Sequence, residues 1–91
     1  MKGDKMKDYS SILLKCAEIA KERQAQYGEA TESIKLATRM LDEMFGVKLT
    51  PRQFCYTIVA LKLSRQKFTH KDDNILDCIN YLAISMACGE E

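Results

Sequence analysis

Tryptophan is absent, histidine and proline occur once each, and four glycines serve 91 residues. So little punctuation leaves room for a few long helices and argues against a fold of many strands joined by tight turns. No pair among Cys16, Cys55, Cys78 and Cys88 has the CxxC spacing of a zinc or dithiol site, and the lone His70 is near none of them in sequence. The four thiols therefore read as small buried apolar groups, free and reduced, which implies a cytoplasmic setting. No long apolar run exists: residues 12–20 are interrupted by Lys15 and Glu18, and residues 1–7 are charged. The pattern fits neither a signal peptide nor a membrane span. An excess of one charge is also missing. Fourteen Lys+Arg against thirteen Asp+Glu leave +1, which excludes a protein held on nucleic acid by bulk charge. P-loop, Rossmann and Ser-His-Asp patterns are absent, so no catalytic residue is assigned.

What is present is helical periodicity. Residues 1–9 read as a flexible charged N-terminus and 10–89 as a single helical domain. A first helix is expected over 10–26, with Ile12, Leu13, Cys16, Ile19, Ala20 and Arg23 at three- and four-residue steps, ending at Tyr27-Gly28. A second should start from an N-cap at Thr31 and reach residue 45, carrying Ile34, Ala37, Leu41 and Met44 on one stripe before Gly46. The third has the clearest start: Thr50 can cap, Pro51 takes the first helical position and Gln53 completes a capping box. It should reach about residue 67, with Phe54, Ile58, Leu61 and Arg65 together. The fourth follows an N-cap Asp72 and carries Ile75, Ile79, Leu82 and Met86 to Gly89. The fold class is all-α, a compact four-helix domain whose last two helices form an antiparallel hairpin. A core this small is marginal alone, so a homo-oligomer is expected. Met40, Met44 and Met86 fall on apolar stripes and read as core.

Polar residues on otherwise apolar faces are where function is sought. Lys62 and Arg65 lie three apart on the third helix, and Asp73, Asp77 and Tyr81 follow at four-residue steps on the fourth, with Asn80 beside them. Antiparallel register sets Arg65 opposite Asp73 and Lys62 opposite Asp77. Two readings stay open: ion pairs that hold the hairpin in register, or a pocket in which the cations meet phosphate and the aspartates meet Mg²⁺, ribose or base donors. A second constellation, Arg23, Gln26, Tyr27, Gly28, Glu29 and Glu32, surrounds the first inter-helix turn. It offers a guanidinium for phosphate and a ring for stacking, or simply a helix C-cap followed by dipole-favoured carboxylates. His70 reads as a solvated loop residue.

Arg23…Gln26-Tyr27-Gly28-Glu29…Glu32, Leu49-Thr50-Pro51, Leu61-Lys62-Leu63-Ser64-Arg65 and His70-Lys71-Asp72-Asp73-Asn74…Asp77…Asn80-Tyr81 together resemble a family of small phage and prophage proteins. Its members carry R-x-x-x-Y-G, K-x-x-R and H-x-D-[SN]-x-x-D-x-x-G-Y. The resemblance spans residues 12–88, with Asn80 where the family commonly has glycine. It also implies an architectural echo of the MazG-type nucleotide pyrophosphohydrolases, which hold Mg²⁺ between an ExxE and an ExxD helix. Here Glu29-Ala-Thr-Glu32 corresponds to the first element. Asn74-Ile-Leu-Asp77 is a degraded second, lacking one carboxylate.

Three expectations follow. In the first, the protein binds a phosphorylated nucleotide without a required cofactor and sequesters a host defence signal in the phage setting. Arg23, Lys62 and Arg65 would meet phosphate, Tyr27 or Tyr81 would stack, and Asp73, Asp77 or Asn80 would read hydroxyls or base edges, with Gly28 and Glu32 beside them. In the second, Glu29, Glu32, Asp73 and Asp77 hold Mg²⁺ for hydrolysis. In the third, the polar stripe is a register device in a protein-interaction module. Mixed charge around the carboxylates favours the first over a two-metal centre. The partners expected are a nucleotide-like small molecule and further copies of the chain, with no bulk nucleic acid and no membrane.

Overall fold

A computed structural model describes residues 8–89, and these form four helices with no strand among them. They are α1 (Tyr9–Tyr27), α2 (Ala30–Phe45), α3 (Pro51–Arg65) and α4 (Asp72–Cys88). Local chemistry sets most of the ends. Asp8 caps α1, its carboxylate accepting from the Ser10 N–H at 3.2 Å and the Ser10 hydroxyl at 2.8 Å. The same hydrogen bonds, those of the Ser10 side chain first, lower the Asp8 pKa. The helix therefore begins at Tyr9, inside the segment expected to be a tail; the rest of that expectation, residues 1–7, lies outside the described residues. Thr50 and Gln53 form the expected capping box, the Thr50 hydroxyl accepting from the Gln53 N–H at 3.1 Å and Gln53 Oε1 accepting from the Thr50 N–H at 3.0 Å. Gly46 ends α2 in the left-handed region, at φ 68° and ψ 21°, where a side chain would be strained.

Two further starts differ from expectation. Glu29, not Thr31, is the N-cap of α2, and Lys71, not Asp72, precedes α4. Neither cap residue makes a side-chain cap bond; Asp72 and Asp73 sit inside the first turn of α4, where the helix dipole favours them. α3 stops at Arg65 rather than 67, followed by a turn in which the Arg65 carbonyl accepts from the N–H groups of Phe68 and Thr69.

The α3/α4 hairpin is the most extensively packed pair, and α1 and α2 dock against it, α1 chiefly on α4. Small side chains let α3 and α4 approach closely. Cys55 and Cys88 join Ile34 of α2 in the core, flanked by Phe54, Ile58, Tyr81 and Ile84. All four cysteines are buried and unbridged. The Cys16 thiol donates to the Leu76 carbonyl at 3.8 Å and the Cys78 thiol to the Val59 carbonyl at 3.7 Å.

The buried residues of α4, Leu76, Cys78, Ser85 and Cys88, lie on more than one side of the helix. Ile75, Leu82 and Met86 of the expected stripe are exposed. α4 is apolar on most of its surface, so period alone did not select a face. Leu61, Met40, Met44 and Met86 are likewise exposed rather than core, Met86 at 75%. Only eight described residues are buried, against sixteen large hydrophobics exposed. No helix among the described residues is long and apolar enough to cross a membrane.

Candidate functional site

Where α1 ends and α2 begins, the chain turns back over the middle of α4. Gly28 makes the turn at φ 86° and ψ −165°, a left-handed-side φ that a residue with a Cβ adopts only under strain. Below it lies an open cavity of about 780 Å³. Ala20, Arg23 and Tyr27 line it from α1, Gly28 and Glu29 from the turn, Ala30 and Ile34 from α2, and Asp77, Asn80, Tyr81 and Ile84 from α4. Arg23 and Tyr27, one turn apart, share a face of α1, just as Asp77, Tyr81 and Ile84 share one of α4. Ala83 and Ala87, four apart on α4, leave the space open.

Asp77 is the electrostatic centre. Its Oδ2 accepts from Lys62 Nζ at 2.8 Å and its Oδ1 from Arg23 Nη2 at 3.5 Å. The side chains of Asp77 and Lys62 are 14% and 20% exposed, whereas that of Arg23 is 55% exposed. One carboxylate under two cations leaves a net positive group, and Arg23, which lines the cavity, commits only one of its five donors to Asp77. Tyr27 presents an exposed ring at the rim, while Tyr81 packs against the core. Glu29 accepts a hydrogen bond from Gln24 Nε2 at 3.1 Å. Asp77 also reaches two neighbours: burial first, and then its negative charge, raises the thiol pKa values of Cys16 and Cys78. These thiols are kept protonated, the opposite of an activated nucleophile.

Of the residues singled out in the sequence, the cavity gathers Arg23, Gln26, Tyr27, Gly28, Glu29, Asp77, Asn80 and Tyr81 from distant segments. Lys62 is not on its lining but stands behind Asp77. The pairing Lys62–Asp77 is as the register predicts. The pairing Arg65–Asp73 is not formed: among the described residues no ion pair joins them. At that level Gln66 organises the loop instead. Its Oε1 accepts from the Lys71 N–H at 3.0 Å and from Asn74 Nδ2 at 2.8 Å. Arg65, Asp73 and Glu32 are exposed and are not on the cavity lining. Glu29 has non-helical angles, φ −72° and ψ 121°, so Glu29 and Glu32 do not share a helical face. Among the described residues no three acidic, His or Cys side chains are grouped to hold a metal ion. The residues present do not fit the two-element Mg²⁺ site.

Sequence reasoning missed Gln24, Ile34, Ile84 and the alanines of the cavity. The alanine spacing on α4 was the available signal.

The chain matches DUF6378, a domain of unknown function, over residues 11–89. It belongs to the DUF6378 family. No match emerged among curated proteins or among solved structures. The DUF6378 match covers both the Arg23–Gly28 turn and the Asp77–Tyr81 stripe, so the whole cavity lies within the domain.

Proposed function

We propose that this DUF6378 protein binds a phosphorylated nucleoside in the cavity between α1, α2 and α4. The observation that carries the reading is the convergence of Arg23 and Tyr27 from α1 with Asp77, Asn80 and Tyr81 from α4 on one cavity of about 780 Å³. That size is within the range of small-ligand sites, and a mostly apolar lining with a few convergent polar groups is their usual composition. Arg23 offers planar paired donors to phosphate, the Tyr27 ring offers a stacking face, and the Asn80 amide offers both a donor and an acceptor to a base or ribose. Lys62 positions Asp77 rather than touching the ligand. In a phage setting, such binding would sequester a nucleotide signal made by a host defence system.

The cavity is open on one side. A second copy would close it, and the sixteen exposed large hydrophobics supply surface for such an association. Burial of that surface would also relieve the small core.

One incubation tests the reading. The purified protein is mixed with nucleoside triphosphates, cyclic nucleotides and ADP-ribose derivatives in the presence of Mg²⁺, then filtered. Filtrate and heat-released retentate are each chromatographed. A compound retained and released intact supports the proposal; R23Q should then abolish retention. New product peaks would replace it with the hydrolase reading. Free passage of every compound would leave the polar stripe as architecture and turn the search to protein partners.

A further inference from the structure

A second hollow lies on the other flank of α2. Lys35, Thr38, Arg39 and Asp42 line it from the helix, Lys48 and Leu49 from the following loop, and Pro51 from the start of α3. The two linings share no residue: the hollow takes Lys35, Thr38, Arg39 and Asp42 of α2, and the nucleotide cavity takes Ala30, Thr31, Ser33 and Ile34. The two sites are separate.

Its charges are unbalanced in a specific way. Asp42 takes both of its short contacts from Lys48 Nζ, at 3.1 Å to Oδ1 and 3.0 Å to Oδ2. Lys48 and Asp42 thus neutralise each other. Lys35 and Arg39 stand one turn apart, and among the described residues neither forms an ion pair. Two like charges at this spacing oppose helix formation. Here both line the same hollow of about 390 Å³. Thr38 is buried, its hydroxyl committed to the Ile34 carbonyl at 2.6 Å. Leu49 and Pro51 add apolar surface to the lining.

We propose that this hollow binds a phosphate dianion, either free inorganic phosphate or the phosphate of a small ester. Two uncompensated cations call for two negative charges, which a carboxylate lacks, which a phosphate monoester carries above its second pKa of about 6, and which inorganic phosphate carries at somewhat higher pH. Arg39 supplies planar paired donors matched to two phosphate oxygens, and Lys35 acts as a point charge beside it. Asp42 limits affinity by placing one carboxylate on the same rim. Lys48 holds that carboxylate away from the anion.

The test is an amide-resolved NMR titration of the full chain with sodium phosphate and, separately, phenyl phosphate, each against sodium chloride at matched ionic strength. Saturable shifts confined to residues 35–51 are expected. Saturation by the inorganic ion identifies free phosphate as sufficient; saturation by phenyl phosphate alone identifies an ester. R39Q should weaken binding about tenfold, the loss expected of one charge-assisted donor pair. D42N should tighten it, and R23Q, in the other cavity, should leave it unchanged. Both α2 positions are exposed or half-buried, and an unchanged circular dichroism spectrum verifies that the variants fold. Shifts matching those of chloride, a linear response without saturation, or equal affinity in R39Q would overturn the proposal. An equal loss in R23Q would overturn the separateness of the two sites.

Discussion

Replacing Asp77 by Asn separates what holds the hairpin from what meets a ligand. The amide keeps the shape of the carboxylate but removes the charge opposite Lys62, whose side chain is only 20% exposed. Exposed pairs contribute about 0–1 kcal/mol, while removing one partner of a fully buried pair costs about 3–5 kcal/mol. The Lys62–Asp77 contact, 2.8 Å between groups that are 20% and 14% exposed, falls between these limits. D77N should therefore cost about 1–2 kcal/mol. For a domain of this size each kcal/mol moves the thermal midpoint by roughly 4–8 °C. The Arg23–Asp77 contact is longer, at 3.5 Å, and its guanidinium is 55% exposed. R23A should therefore change stability by no more than about 0.5 kcal/mol, while abolishing nucleotide retention. The assay is thermal and urea unfolding of D77N, K62M and the double variant, read as a mutant cycle. A Lys62–Asp77 coupling of about 1 kcal/mol is expected. Coupling near zero, or an R23A loss as large as that of K62M, would refute the division of roles between the two cations.

Three further outcomes follow from the fold. T50A removes the hydroxyl that accepts from the Gln53 N–H and should cost about 1 kcal/mol in urea unfolding; no loss would mean that the capping box contributes nothing. Burial first, and then its neighbour Cys88, push the Cys55 thiol up from 9.0 to about 11. The folded chain then binds more protons than the unfolded one between those values, so its stability is full below pH 9 and falls as pH rises toward 11. The two-unit shift bounds the total loss at about 3 kcal/mol. Unfolding at pH 8 and pH 10.5 measures the fall, and Cys55 reacting with a thiol reagent in the native state as fast as a free thiol would contradict it. Light scattering should show a dimer or larger assembly that charged substitutions at Leu36, Met40 or Met44, exposed at four-residue steps on α2, dissociate; a stable monomer of 10.4 kDa would remove the second copy from the reading.

What the sequence made legible were features set by local chemistry. The glycines at 28, 46 and 89 end helices as expected, all at positive φ, and the Thr50–Pro51–Gln53 start is present in full. Antiparallel register alone located the Lys62–Asp77 pair. Decisions that depend on the whole packed chain were not legible. The outward turn of Met86 and Leu82 follows from small Cys78, Ser85 and Cys88 making the closer contact. Arg65 and Asp73 looked like partners by register, but α3 ends at Arg65, and Gln66 ties Asn74 and the Lys71 amide at that level. ExxE puts both carboxylates on one face only inside a helix, and Glu29 stands outside α2 as its N-cap, as the expected start at Thr31 already required.

The weakest packing and the candidate nucleotide cavity coincide, and that links function to stability. α1 rests chiefly on α4. Its recorded polar ties there are the Cys16 thiol on the Leu76 carbonyl and the Arg23–Asp77 pair. The cavity opens beside the second of these, under Tyr27 and Gly28. A ligand seated there would add contacts between α1, α2 and α4 where the free chain has few. Linkage gives the size: ligand at 100 times its Kd stabilises by about 2.7 kcal/mol if it binds the folded chain alone. At roughly 4–8 °C per kcal/mol, the thermal midpoint should rise by at least about 10 °C. Hydrogen exchange locates the effect, because only a ligand bridging the helices slows amides at the C-terminal half of α1 more than those of the α3/α4 hairpin. Protection spread evenly over all four helices would instead report a global gain, and the nucleotide would then be binding somewhere other than the cavity beneath Tyr27.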